Sequence, residues 1–246
     1  MSDATKKVAL ITGGNKGIGL ETARQLGALG ITVLVGARDL KRGEAAAAEL
    51  KREGIDARAL KLDVVDDGDR KAAAEAIGRE FGRLDILVNN AGIATEDMSA
   101  NSTLTTSEET LRKIFETNFF AVVALTGSML PLLRKSAAGR IVNLSSILGS
   151  LTLHATPGSP IYGAKMFAYD ASKTALNAFT IHLAHALKET RIKVNSAHPG
   201  WVKTELGGEG APMEIVDGAK TSVRLATLAD DGPTGGYFHM NDALPW

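Results

Sequence analysis

The sequence predicts a doubly wound α/β domain, with a parallel sheet of about seven strands covered by helices on both faces. Three observations point there. Short β-branched runs recur along the chain and are apolar nearly throughout rather than alternating, as in strands buried on both faces. Alanine-rich stretches of helical length separate them, and strand–helix alternation with right-handed crossovers winds such a sheet in both directions. The first run also passes through a glycine-rich turn directly into a helical stretch.

The elements follow in order. "KVALIT" (7–12) is the first strand, with the turn "TGGNKGIG" (12–19) and a helix near 17–29. "ITVLVGA" (31–37) is the second strand. The helix after it, "KRGEAAAAELKRE" (41–53), has alanines suited to close packing on a sheet, and Gly54 ends it. "ARALKLDV" (57–64) precedes a helix near 67–81, and "LDILVNN" (84–90) precedes a long helical stretch at 107–134. "GRIVNLSS" (139–146), a helix near 161–189, "IKVNSAHP" (192–199), a helix near 214–228 and "GGYFHM" (235–240) complete the pattern. No linker, repeat or low-complexity tail interrupts it, so residues 1–246 read as one domain.

Composition narrows the function classes. Basic and acidic residues balance at 28 each, which leaves no long-range field to recruit nucleic acid or an anionic membrane. The chain has no cysteine, which rules out disulfides and thiolate metal sites and fits a reducing compartment. Near the N-terminus only "VALI" is apolar, too short for a signal-peptide core or a membrane span. A cytoplasmic protein is expected.

In the glycine turn, Gly13, Gly17 and Gly19 permit a tight bend and close backbone approach, leaving helix N–H groups free for a pyrophosphate. The spacing differs from the usual G-x-G-x-x-G, but the strand-before, helix-after context is present. Asn15, Lys16 and Ile18 complete the candidate cofactor contacts of this turn. At the end of the second strand the chain reads Ala37-Arg38-Asp39. A carboxylate there would select NAD and an arginine NADP. Asp39 falls beyond the strand and suits a helix cap, whereas Arg38 and Lys16 flank the place of a 2′-phosphate. The cofactor expected is NADP(H).

The stretch "PIYGAKMFAYDASK" (160–173) holds two tyrosines and two lysines. Helical side chains lean towards the N-terminus, so Lys173 leans back on Tyr169 while Lys165 leans away from it. Tyr162, after Pro160 and before Gly163, falls in an irregular entry loop. A phenol is protonated at neutral pH and yields an unstable anion, which a nearby ammonium would stabilise. Tyr-x-x-x-Lys can thus supply an acid and its helper, although the spacing alone more often marks a half-buried tyrosine beside a solvated lysine.

With "TGGNKGIG", "NNAG" (89–92), "TN" (117–118), "NLSS" (143–146), "YDASK" (169–173) and "HPGWVKT" (198–204) in this order, the chain resembles the short-chain dehydrogenase/reductase family over nearly its whole length, most of all its carbonyl-reductase-like members. The resemblance implies a catalytic tetrad. Tyr169 would protonate a carbonyl oxygen, Lys173 would lower the tyrosine's pKa and hold the nicotinamide ribose, Ser146 rather than Ser145 would orient the carbonyl, and Asn118 would hold a water relaying protons to the lysine. It also implies that Asp63 and Val64 bracket the adenine, that Asn90, Ala91 and Gly92 line the middle of the cofactor, and that Pro199, Gly200, Val202 and Thr204 hold its nicotinamide end. The activity implied is reversible NADPH-dependent reduction of aldehydes or ketones. A 3-oxoacyl thioester reductase and a non-catalytic NADP(H)-sensing protein are the alternatives.

One departure stands out. Ser146 and Tyr169 lie 23 residues apart, against about a dozen in most of the family. Related reductases with a lengthened segment here, residues 147–168, use it to cover the helix of oligomer packing, so a monomer is expected over a dimer. Leu148, Leu151, Leu153, Trp201, Leu206, Met213 and Trp246 are candidate walls of an apolar pocket for a small carbonyl compound, though such residues are more often core. "ELGGEGAPM" (205–213) suits a lid. His182 and His185 lack a third partner, so no metal is expected.

Overall fold

The computed structural model describes residues 6–96 and 101–246. Its strands are β1 (Val8–Thr12), β2 (Thr32–Ala37), β3 (Ala57–Lys61), β4 (Ile86–Asn89), β5 (Arg140–Leu144), β6 (Lys193–Ala197), β7 (Tyr237–His239) and β8 (Asp242–Ala243). Its helices are α1 (Gly17–Ala28), α2 (Leu40–Arg52), α3 (Asp67–Phe81), α4 (Glu108–Phe115), α5 (Ala121–Leu133), α6 (Leu151–Ala155), α7 (Phe167–Ala186) and α8 (Ile215–Ala226). The sheet order is β3-β2-β1-β4-β5-β6-β7-β8, parallel through β7, with β8 added antiparallel. All seven expected strands are present, and β8 is an eighth of only two residues.

Alternate residues of each strand feed opposite faces. Val8 and Leu10 of β1, Leu34 of β2 and Leu87 of β4 join Ile77 of α3, Leu125 and Met129 of α5 and Ala184 of α7 in one core. Ala9 and Ile11, Val33 and Val35, and Ile86 and Val88 join Leu26 of α1, Leu50 of α2 and Leu225 of α8 in the other. The strand order reverses between β1 and β4, opening a crevice at the carboxyl ends of the strands. Every sequence-predicted site residue lies at or beside that edge.

Two helical expectations change. The stretch expected as one helix at 107–134 contains a π turn, Glu116–Phe120, between α4 and α5. The helix expected from residue 161 begins at Phe167, because Ile161–Gly163 form a turn in which the Tyr162 N–H donates to Ser159 O. Tyr162 therefore stands in an entry loop, as its proline and glycine neighbours suggest.

Candidate active site

The glycine turn is built for close backbone approach. Gly13 and Gly17 adopt positive φ, 61° and 54°. A Cβ on Gly19 would lie 2.5 Å from both Asn90 Nδ2 and Gly13 O, so no side chain fits there. Asn90 is part of this scaffold: its amide donates to Thr12 O at 2.7 Å, and the Thr12 hydroxyl accepts the N–H groups of Asn90 and Ala91. Gly17 and Ile18 open α1, the latter packing partly on the core, and Asn15 and Lys16 lie in the turn before it. Thr204 closes in from the other side, its Cγ2 lying 3.6 Å from where a Gly17 Cβ would be.

Ala37 ends β2 and Arg38 follows it, exposed. Asp39 caps α2, accepting from the Arg42 N–H at 3.3 Å. A surface groove beside the glycine turn is lined by Asn15, Lys16, Arg42, Ala45, Ala46, Glu49 and Arg52. Lys16 is ion-paired with Glu205 of the 205–213 segment. At the end of β3, Asp63 Oδ1 accepts from the Val65 N–H while Val64 is buried and its carbonyl accepts from Arg70. Gly200 turns the chain after Pro199 with φ 91°. Val202 is buried against Gly218, where an added Cβ would meet its Cγ2 at 2.7 Å, so only its backbone can face a ligand.

The four tetrad candidates come together behind Gly92. A Cβ on Gly92 would lie 3.3 Å from Asn118 Oδ1 and 3.5 Å from Lys173 Nζ. Lys173 donates to Leu144 O at 2.8 Å and stands over the Tyr169 ring, 5.6 Å from its centroid. The two residues thus meet across one helical turn, as their spacing required. The Tyr169 hydroxyl shares a hydrogen bond with Ser146, whose own Oγ accepts from the Leu148 N–H at 3.3 Å.

Electrostatics depart from the expectation of an acidified phenol. Burial pushes Tyr169 up to about 12, the Ser146 hydrogen bond acts the other way, and the charge of Asp170 adds to the rise. Burial likewise lowers Lys173 to about 8. The protein alone therefore keeps the phenol protonated rather than bringing it towards neutrality, because both groups have lost their water.

Asn118 is fixed through its side chain. The π turn directs its side chain inward, fully buried. There its Oδ1 accepts from the Ile93 N–H at 2.8 Å and its Nδ2 donates to Ile93 O at 2.9 Å and to Ser172 Oγ at 3.1 Å. Its amide is committed to anchoring the strand-end segment.

The family model described as short chain dehydrogenase matches residues 7–214. The chain belongs to the short-chain dehydrogenase family. A short-chain dehydrogenase of Penicillium roqueforti, anuI, is 38% identical, the match covering 92% of this chain and 91% of that protein. Salutaridine reductase of Papaver bracteatum is 33% identical over 96% of this chain and 95% of its own. Among solved structures, an NADPH-bound carbonyl reductase from chicken fatty liver superposes with a TM-score of 0.85 at 27% identity, covering 98% of this chain and 99% of that one.

Three residues around this short-chain dehydrogenase site escaped the sequence reading. Tyr237 of β7 donates its hydroxyl to Ser146 O and stacks on Trp246 at 5.4 Å. Arg42, in the first turn of α2, lines the groove beside Lys16. Glu96 bonds the backbone of Tyr169. His198 serves the turn, its Nδ1 accepting from the Ile147 and Gly200 N–H groups, and burial lowers it to about 3 so that it stays neutral. Of the candidate pocket walls, Leu151, Trp201 and Leu206 are exposed, while the Trp246 carbonyl accepts from the Thr152 N–H and ties the C-terminus to α6. Trp201 Nε1 donates to Gly207 O and Val202 bridges to Met213, so the 205–213 segment is fastened at its base. His182 and His185 are both exposed on α7.

Proposed function

We propose that this protein is an NADP(H)-dependent reductase of aldehyde and ketone carbonyls, with Tyr169 as the general acid. The observation that carries the reading is the buried Tyr169–Ser146–Lys173 cluster at the strand edge, next to a glycine turn that tolerates no side chain at Gly19. The likeness to an NADPH-bound carbonyl reductase and to salutaridine reductase supports the same cofactor and reaction class. Gly13, Gly17, Gly19 and the backbone of Asn90–Gly92 would hold the dinucleotide, with Lys16, Arg38 and Arg42 meeting its 2′-phosphate. When bound, NADPH supplies the hydride.

The chain's own residues supply the proton. Ser146 hydrogen-bonds the carbonyl oxygen and orients it towards Tyr169. The Tyr169 O–H bond breaks as its proton passes to that oxygen, and the negative charge left on the phenolate is stabilised by the Ser146 hydroxyl and the Lys173 ammonium. A phenol held protonated suits this reductive direction. Leu148, Leu151, Leu153, Trp201, Leu206 and Met213 would offer an apolar wall to an uncharged substrate.

The test follows NADPH consumption with a panel of aldehydes, ketones and acyl thioesters, for the wild type and Tyr169→Phe. Turnover of simple carbonyls is expected, lost in the variant while NADPH binding persists. A variant that reduced carbonyls at the wild-type rate would refute the acid; turnover of thioesters alone, or of nothing, would refute the substrate class.

A further inference from the structure

Helix α7 carries Tyr169 and Lys173, yet its own side chains reach only the Met166 N–H, which donates to Asp170 Oδ2 at 3.0 Å. Met166 stands at the N-cap with no side chain able to accept a hydrogen bond. The first N–H groups of a helix have no intrahelical partner and need an acceptor from elsewhere. Here every one of the first three is met by the segment that follows β4. The Phe167 N–H donates to Ser102 Oγ at 2.8 Å, the Ala168 N–H to Glu96 Oε1 at 3.2 Å and the Tyr169 N–H to Glu96 Oε2 at 2.8 Å. Glu96 is held in turn by the hydroxyls of Ser102, at 2.5 Å, and Thr106, at 2.7 Å. Only with Asp170, whose N–H reaches Met166 O at 2.8 Å, does the helix supply its own acceptor.

The same short segment touches the site at two further points. Gly92 abuts Lys173 Nζ and Asn118 Oδ1, and Ile93 is held at both its N–H and its carbonyl by the Asn118 amide. Residues 92–96 thus run past Lys173, are fixed by Asn118 and end on the backbone of Tyr169. Burial opposes ionisation of Glu96, but its hydrogen bonds outweigh that and hold the carboxyl below its usual range, so it is an anion facing the positive end of the helix.

We propose that Glu96 is a positioning residue for the reaction: its carboxylate, bonded to the Tyr169 N–H and braced by Ser102 and Thr106, sets where the tyrosine hydroxyl stands relative to Ser146 and Lys173. The inference rests on the reading of Tyr169 as the acid. A cap that merely completed the helix would be as well placed on residue 166. A cap reaching across from the strand-end segment ties the acid to the wall that also holds Asn118.

The experiment compares Glu96→Ala, Glu96→Gln, Ser102→Ala and Tyr169→Phe with the wild type. The readouts are kcat, the solvent deuterium isotope effect on kcat, NADPH affinity by fluorescence titration, and melting temperature. A misplacement of about 1 Å costs on the order of 100-fold in rate. Glu96→Ala is therefore expected to lower kcat by about 10- to 100-fold and to enlarge the isotope effect, as proton transfer becomes the slow step, with NADPH affinity unchanged. Glu96→Gln keeps one acceptor oxygen but turns an NH2 group towards a helix N–H, and falls between. Ser102→Ala frees one helix N–H and removes one brace, and shifts both readouts the same way by less. A folded Glu96→Ala with wild-type kcat and isotope effect would overturn the proposal, as would parallel loss of kcat and NADPH affinity. If that variant does not fold, wild-type behaviour of Glu96→Gln and Ser102→Ala together would overturn it. Tyr169→Phe reports separately: full turnover there refutes the acid, whereas its loss beside an indifferent Glu96 refutes only the positioning role.

Discussion

Replacing Asp170 by asparagine should alter the pH dependence of stability in a direction the structure fixes. Asp170 lies beside the acid on α7, buried, with Oδ2 accepting from the Met166 N–H at 3.0 Å and lying 3.3 Å from His154 Nε2. Its Oδ1 has no partner among the described residues. Facing it are Glu96, which repels its charge, Lys165, which attracts it and bonds His154 Nδ1 at 3.0 Å, and the Tyr169 phenol. Burial is the main reason its carboxyl rises from 3.8 to about 7. A carboxyl raised on folding binds more protons in the native state between those values, so its contribution is present below about pH 4 and is lost as pH rises through about 7. At 1.36 kcal/mol per unit the full rise corresponds to about 4 kcal/mol; with His154 and Lys165 able to relax around the charge, about 1–3 kcal/mol is expected. The amide introduced by Asp170→Asn can keep the Met166 and His154 contacts through its oxygen, and it cannot ionise. Urea unfolding across a pH series from the acid side of neutrality to the alkaline side should therefore show wild type and variant converging at the acid end, the variant becoming the more stable above neutrality. A variant that lost stability relative to wild type as the pH rose through neutrality would refute the assignment of a destabilising buried charge.

The remaining predictions concern the proposed chemistry. Because burial lowers Lys173 to about 8 while Tyr169 stays near 12, kcat for carbonyl reduction should fall as pH rises through about 8, the neutral amine no longer offsetting the phenolate; a flat profile well into the alkaline range would contradict this. Gly19→Ala would force a Cβ to 2.5 Å from Gly13 O, overpacking that costs about 1–3 kcal/mol, and both melting temperature and NADPH affinity should drop. Arg42→Ala should weaken NADPH binding by about 10- to 100-fold, the worth of a hydrogen bond to a charged group, and leave NADH binding unchanged; equal losses for both cofactors would exclude a phosphate contact. Tyr237→Phe removes one of the two donors to the Ser146 carbonyl, leaving the Gly149 N–H, and should lower kcat more than it raises the KM for NADPH.

Much of this was legible in the sequence because it depended on local pattern. Apolar runs such as "VALIT" and "TVLVGA" marked strands that the structure buries on both faces, and the Tyr169–Lys173 spacing required only that their stretch be helical. What escaped depended on partners far away in the chain. Strand β8 has two residues and no periodicity to detect. The start of α7 carries no N-cap side chain to signal it, because the acceptors for its first three N–H groups come from Glu96 and Ser102. The π turn lies within a stretch whose hydrophobic pattern reads as plain helix, and the acidified phenol was expected because spacing conveys proximity but not the loss of water around both groups.

The widened turn at Glu116–Phe120 is in effect one spare residue in a 26-residue helix, Glu108–Leu133. Each residue of an α-helix advances about 100° around the axis. The wide turn absorbs that residue and keeps α4 and α5 in phase. Straightening it into a regular turn with every residue kept would swing α4 about a quarter-turn relative to α5 and carry the Asn118 anchor off Ile93. The bulge therefore acts as a phase shifter. It lets α5 obey the packing of the sheet while α4 obeys the cleft, and a repair that looked like an improvement to the helix would put the two out of step.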